Sequence, residues 1–136
     1  DVQNSAGFPP GAQALAGRIQ AADGLIISSP EYNYSVPGTL KNAIDWISRM
    51  KPMPLRGKHG FLLAAPSSLV GGSRGLWALR VPLEGLGVFL HPDMFALAQA
   101  QQALDPEGRI KDPAMQERLK KMVNGYLEMA RKLTAA

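Results

Sequence analysis

Two turn-rich stretches hold the residues of this sequence that are best suited to bind a ligand. The first, residues 29–35, combines Ser, Pro and Asn with one glutamate and two tyrosines. Backbone N–H groups in such a turn can pair with the edge of a flat heteroaromatic ligand, and an aromatic side chain can cover its face. An ordinary capped turn is the alternative, and the motif alone does not decide between them.

The second stretch, residues 66–75, is rich in Ser and Gly and contains the pair Gly71-Gly72 followed by Arg74. Glycine permits a close backbone approach and a positive φ angle. A glycine pair alone is more often only a turn, but its position one strand after the first stretch strengthens the binding interpretation. Arg74 could contact a nucleotide phosphate or lie in solvent, and the sequence leaves both open.

Other site chemistries find little support in the sequence. There is no cysteine, which excludes thiolate catalysis, disulfides and cysteine zinc sites. His59 and His91 stand alone, without a second histidine or a carboxylate spaced for a metal, so we expect structural or surface roles and no metal site. The Gly-x-Ser-x-Gly motif of a serine nucleophile is absent. None of these patterns identifies a catalytic acid, base or nucleophile in the protein.

The charge pattern bears on possible partners. The formal net charge is +4, which fits either an ordinary soluble domain or attraction for an anionic ligand such as a nucleotide. The basic residues are scattered and no nucleic-acid motif accompanies them, so a nucleic-acid partner is not expected. No apolar run approaches the roughly 20 residues of a membrane helix, and no signal peptide is recognised. We predict a cytoplasmic protein without a membrane partner.

Short apolar runs alternate with helical periodicity along the chain. Continuous apolar runs at residues 24–29, 60–65 and 88–90, the last continuing through 94–97, predict buried strands. Strand, loop and helix in repetition predict an α/β fold, with helices flanking a parallel sheet. Ligands of such sheets bind beyond the carboxyl ends of the strands, and both turn-rich stretches follow a strand directly.

Helical spacing and capping signals predict where the helices lie. One helix follows Pro10. A second is expected to start with Ser35 as its N-cap and Pro37 in its first turn. A third contains Leu76 to Leu86, and the last opens at residues 112–113. Trp46 and Trp77 are expected to be packing groups within this framework.

Residues 30–46 resemble the signature of the NADPH-dependent FMN reductase family, which includes quinone, azo-dye and chromate reductases. The matching run is Pro-Glu-Tyr-Asn-Tyr-Ser-x-Pro-Gly-x-Leu-Lys-Asn-Ala-Ile-Asp-Trp. The resemblance implies a flavodoxin-like three-layer sandwich. It also implies that Pro30, Glu31, Tyr32 and Asn33 line the flavin ring, largely through backbone atoms, with Ser35 at the same wall. The second stretch is similar to the family's second flavin-side loop, which adds Ser67, Gly71 and Gly72 to the implied cofactor-binding residues.

The same resemblance implies an activity. FMN and NADPH, or NADH, would be the cofactors, and hydride would pass to the flavin and on to a quinone, free flavin, azo compound or metal oxyanion. A homodimer or homotetramer is implied as well. The alternative is an electron carrier or redox sensor that holds flavin without turnover. Dedicated carriers are usually acidic, and the basic charge here counts against that alternative.

One part of the family pattern has no match. We expect residues 1–136 to form a single flavodoxin-like domain in which the resemblance runs from about Phe8 onward. The family's first strand, its Gly-Ser-x-Arg-x-x-Ser phosphate loop, the next helix and the second strand are unmatched, and residues 1–5 look like the stretch that follows them. The strand at residues 24–29 should then lie at a sheet edge. Either the natural polypeptide is longer, which is our expectation, or this chain binds FMN poorly.

Overall fold

The computed structural model describes residues 6–135, so the similarity noted for residues 1–5 lies outside the described part. A sheet of three parallel strands forms its centre: β1 (Gly24–Ser28), β2 (His59–Ala64) and β3 (Phe89–Ala96). The strands lie in the order β1-β2-β3. This arrangement confirms the predicted parallel sheet, and each strand begins within one residue of its predicted start.

The pairing of β2 with β3 is interrupted by a bulge. Gly60 pairs with Leu90 and Leu62 with Met94, so β2 advances by two residues while β3 advances by four. Pro92 lies in this bulge, where its missing N–H removes no bond of the ladder. The bulge explains why the sequence presented the third strand as two separate apolar runs.

Five helices surround the sheet in the described part of the chain. The last begins where its sequence signals predict, because the Asp112 side chain accepts a hydrogen bond from the Ala114 N–H at 2.9 Å and Pro113 occupies the first helical position. The helices are α1 (Pro10–Ala21), α2 (Gly38–Ser48), α3 (Ser73–Gly85), α4 (Ala100–Ala103) and α5 (Pro113–Thr134).

The predicted start of α2 is wrong by two residues. The helix has Pro37 rather than Ser35 at its N-cap, and no side chain caps it. Ser35 is unavailable because its backbone N–H and C=O both pair with Tyr32 in a tight turn. The tight turn with Tyr32 therefore prevents Ser35 from acting as the N-cap of α2.

The core lies on both faces of the sheet. Phe61 and Leu62 are consecutive in β2, so their side chains point to opposite faces, and both are almost completely buried. Leu62 packs in a cluster with residues of α1, α2 and α3. Phe61 packs with Phe95 of β3 and Tyr126 of α5. Helices therefore cover both faces, and the predicted three-layer α/β arrangement is confirmed.

Within the described residues, β1 pairs only with β2, so the prediction that this strand lies at an edge is confirmed. Ile26 of β1 is 54% exposed. A groove of about 530 Å³ runs beside it and is lined by Gly24, Tyr126 and Arg131 among others. The strand therefore presents an apolar, unpaired side.

The two histidines and two tryptophans of the sequence differ in how deeply they are buried. His59 and His91 are both buried, and His91 packs edge-on against Phe61. Trp46 packs edge-on against Phe8, as predicted. Trp77 is 62% exposed, so its prediction as a packing group is wrong. None of the described helices is long and apolar enough to cross a bilayer.

Candidate functional site

The two turn-rich stretches lie next to each other at the end of the sheet where the parallel strands have their carboxyl ends. The first loop, residues 29–37, leaves the carboxyl end of β1, and the second loop, residues 65–72, leaves the carboxyl end of β2. The Ser29 N–H donates to the Leu63 carbonyl at 3.0 Å, which continues the β1–β2 ladder into the first loop. Neighbouring parallel strands thus bring the two loops together where α/β sheets bind ligands.

A two-residue reverse turn shapes the first loop. Tyr32 and Ser35 exchange backbone hydrogen bonds of 3.1 and 3.0 Å. Asn33 and Tyr34 between them have φ angles of 49° and 68°, the pattern of a type I′ turn. Asn tolerates this left-handed conformation, but for Tyr34 it costs about 1–2 kcal/mol. Strained residues of this kind concentrate at ligand sites.

The turn leaves donors and aromatic surface at the rim. The Tyr32 and Tyr34 side chains are 61% and 71% exposed. Within residues 6–135, the backbone N–H groups of Glu31, Asn33 and Tyr34 donate to no other group of the protein. These donors, next to exposed aromatic rings, suit a flat ligand that carries acceptors along one edge. The residues present therefore fit a flavin ring.

The Glu31 side chain connects the first loop to the start of α3, the helix that follows the second loop. Its Oε1 accepts a hydrogen bond from Arg74 Nε at 2.9 Å and lies 2.7 Å from Arg74 Nη2. Its Oε2 accepts from the Gly75 N–H at 3.0 Å. The side chain is 6% exposed. The Gly75 N–H, with further help from Arg74, lowers the pKa of the Glu31 carboxyl below its ordinary value despite the opposing effect of burial.

Arg74 completes this connection. Its guanidinium carbon lies 4.2 Å from the centre of the Tyr34 ring, a cation–π distance. The sequence left open whether Arg74 meets a phosphate or lies in solvent. The structure places it in an ion pair with Glu31, with its side chain 44% exposed.

The second loop depends on its glycine pair. Gly71 and Gly72 have φ angles of 68° and 77°, which favour glycine. A Cβ on Gly72 would lie 2.9 Å from the Ala64 Cβ, and a Cβ on Gly71 would lie 3.3 Å from the Ala96 Cβ. The glycines therefore let the second loop lie close against the ends of β2 and β3. Ser67, just before them, is exposed.

The structure places the residues predicted from the sequence at the carboxyl ends of the strands. Their contact with a flavin stays a prediction. Sequence analysis missed two residues that shape the site, Tyr34 and Gly75. For Gly75 a signal existed, because glycine in the first turn of a helix is unfavourable unless something approaches closely. The predicted set comprises Pro30, Glu31, Tyr32, Asn33 and Ser35 in the first loop with Ser67, Gly71 and Gly72 in the second.

Comparison with known proteins agrees with this geometry. The sequence model of the NADPH-dependent FMN reductase family matches residues 1–102. The chain belongs to this family. The membership confirms the resemblance seen in residues 30–46 and the prediction of an enzyme whose cofactors are FMN and NAD(P)H.

Two curated relatives support the family assignment. A quinone reductase of Escherichia coli is 38% identical over 135 residues, which are 98% of this chain and 72% of the relative. An NAD(P)H-dependent FMN reductase of Pseudomonas aeruginosa is 38% identical over 128 residues, or 93% of this chain and 69% of the relative. Both similarities include the two loops of the candidate site.

A solved structure confirms the flavodoxin-like fold of the family. The flavoenzyme NAD(P)H:acceptor oxidoreductase of Paracoccus denitrificans superposes with a TM-score of 0.82 at 25% identity, covering 97% of this chain and 74% of that protein. The superposition extends over nearly all of the three-layer arrangement. The two loops of this family member therefore lie on a fold that is known from a solved flavoenzyme.

Proposed function

We propose that this protein is an NAD(P)H-dependent reductase that binds FMN at the two loops and passes electrons to a quinone. The observation that carries the proposal is the pair of loops at the carboxyl ends of β1 and β2. There, unpaired backbone donors lie beside exposed tyrosines. The family and the names of the relatives support the reductase activity.

The chain's own residues bind and orient the ring. Bound FMN supplies the chemistry of accepting and releasing hydride. The N–H groups of Glu31 and Asn33 would hold the acceptor edge of the ring, where negative charge grows on reduction. Tyr32 would border the ring, and Ser67 with the backbone at residues 71–72 would form the second wall. Because the Glu31 carboxylate is held by Arg74 and Gly75, we assign it no proton transfer.

The range of acceptors follows from the shape of the site. The loops form an open shelf with exposed tyrosines rather than an enclosed cavity, so an acceptor can stack on a bound ring without passing a gate. We propose quinones as the principal acceptors, because several relatives are named quinone reductases. Free flavins, azo compounds and metal oxyanions are further candidates at the same face, and either NADPH or NADH supplies the hydride.

We further propose that the protein works as a homodimer or homotetramer in the cytoplasm. The outer face of α3 carries Trp77 at 62% exposure and Val81 at 74% exposure, one helical turn apart. Exposed apolar groups of this size favour a protein interface. Light scattering of the purified protein tests this, with a monomer contradicting it.

The free side of β1 suggests what completes the domain. Ile26 is exposed there and a groove of about 530 Å³ lies alongside. We propose that residues 1–136 belong to one flavodoxin-like domain and that the unpaired side of β1 accepts a further parallel strand. A titration that compares FMN with riboflavin measures the phosphate contribution separately from the ring.

The activity is tested by following NADPH oxidation at saturating FMN with a benzoquinone as acceptor. We expect turnover that depends on protein, FMN and quinone together. A protein that binds FMN but does not turn over would support the carrier alternative. A protein that binds neither FMN nor riboflavin would contradict the proposal.

A further inference from the structure

Helix α3 lacks a cap from its own sequence. Its N-cap residue is Gly72, which has no side chain to accept a hydrogen bond. The neighbouring Ser73 hydroxyl donates to the Val70 carbonyl at 2.8 Å instead. The first intrahelical bond runs from the Leu76 N–H to the Gly72 carbonyl, so the N–H groups of the first turn before Leu76 require other partners.

A residue of the first loop supplies the missing acceptor. The Glu31 Oε2 lies 3.0 Å from the Gly75 nitrogen, which is the third residue of the helix and the usual partner of a cap. The carboxylate also complements the positive end of the helix dipole. Since the Glu31 side chain is 6% exposed, water competes poorly for this position.

We propose that Glu31 is a positioning residue that caps α3 from the first loop and thereby fixes the separation of the two flavin loops. The effect on flavin binding rests on the proposed function. The cap itself does not, because it is present in the protein without flavin. Close packing supports it: a Cβ on Gly75 would lie 3.1 Å from the Glu31 Cβ and 3.2 Å from the Ser35 carbonyl oxygen. The first loop and the first turn of α3 are therefore in close contact at this point.

The same contact occupies the start of α3. The Glu31 carboxylate forms an ion pair with Arg74 and accepts the hydrogen bond of the Gly75 N–H. The Gly75 N–H is therefore not free for an external anion, although helix starts commonly bind anions.

The cap is tested first without any flavin, by amide hydrogen exchange of Gly75. We expect Glu31→Ala to accelerate exchange at Gly75 by about tenfold or more, as expected for the loss of a cap bond. Glu84→Gln is the matched control, because it breaks the Arg80–Glu84 ion pair of the same helix far from the loops. If Gly75 exchange in folded Glu31→Ala equals that of the control, the cap does not exist. If Glu31→Ala fails to fold, Glu31→Met, which has a similar length but no oxygen acceptor, is measured in its place with the same criterion.

The positioning role is tested by riboflavin affinity from fluorescence quenching. We expect Glu31→Ala to weaken binding by about fivefold or more. Ile19→Val, a buried change in α1 that is comparably destabilising, should leave the affinity within about twofold. An equal loss in both variants, or no loss in Glu31→Ala despite rapid Gly75 exchange, would overturn the positioning role. If the wild-type protein binds only FMN, the same comparison is made with FMN. If it binds neither flavin, the proposed function is contradicted and the exchange result stands.

Discussion

The Glu31 carboxylate accepts a hydrogen bond of 3.0 Å from the Gly75 N–H, across 44 positions of sequence. The bond connects a loop after β1 to the start of the helix after β2. Gly75 is the third residue of that helix, so the bond both caps the helix and connects it to the first loop.

Gly75→Ala should separate the two loops. The new methyl group would lie 3.1 Å from the Glu31 Cβ, and overpacking of this kind costs about 1–3 kcal/mol. We expect lower unfolding free energy in urea together with weaker riboflavin binding. Gly17→Ala is the control, because a Cβ there meets nothing within 4 Å and should raise helix stability by up to about 1 kcal/mol. Equal effects of the two substitutions would contradict the close contact.

The contribution of Glu31 to stability should depend on pH in one direction. The Gly75 N–H and Arg74 hold the pKa of the Glu31 carboxyl below its ordinary value of 4.5. The stabilisation is then complete above that ordinary value, which the unfolded chain retains. It is lost as the pH falls through the lower pKa of the folded protein. The difference in unfolding free energy between wild type and Glu31→Gln, measured from about pH 7 to about pH 3, should shrink with acidification. A difference that grows as the pH falls would refute the assignment.

Asn33→Asp should weaken flavin binding, most strongly for the reduced ring. Asn33 lies in the exposed turn with an unpaired N–H, and a carboxylate there would place negative charge near the edge that becomes electron-rich on reduction. FMN affinity at fixed pH, by fluorescence quenching and under reducing conditions by absorbance, measures the effect. Asn124→Asp is the control, because Asn124 is an exposed residue of α5 and the substitution adds the same charge away from the loops. Unchanged affinity in both redox states would place Asn33 outside the site.

Gly24→Ala should destabilise the protein and be rescued by a second change. A Cβ on Gly24 would overlap the Tyr126 hydroxyl, at a cost of about 1–3 kcal/mol. Tyr126→Phe removes that hydroxyl, whose bond to the His59 carbonyl is long at 3.4 Å, so the single change should cost within about 1 kcal/mol. We expect the double variant to regain most of the loss in urea unfolding. Additive losses would show that the two residues are not in contact.

The features predicted correctly from the sequence depend on local chemistry or on strand periodicity. Residues 112–113 signal the start of α5 within three positions of sequence, and the observed cap agrees. The parallel sheet follows from the alternation of strands and helices, and the edge position of β1 follows from the family resemblance. These features need no knowledge of distant contacts.

The features that sequence analysis missed depend on competition or on distant residues. Ser35 carries an ordinary capping signal, but the turn with Tyr32 takes both of its backbone groups. The Glu31–Gly75 bond joins residues 44 positions apart, beyond the reach of any local pattern. Trp77 was predicted to be a packing group from its residue type alone, although it lies off the apolar stripe of Leu76, Leu79 and Leu83, which is buried.

The central claim is that backbone amides of the two loops hold the flavin ring. The most direct test is a titration of the ¹⁵N-labelled chain with riboflavin, which carries the ring without the phosphate, followed by amide chemical shifts. We expect the largest changes at residues 30–35 and 67–75, with Glu31 and Asn33 among them. Perturbations confined to the groove between β1 and α5, or none at saturating riboflavin, would contradict the claim.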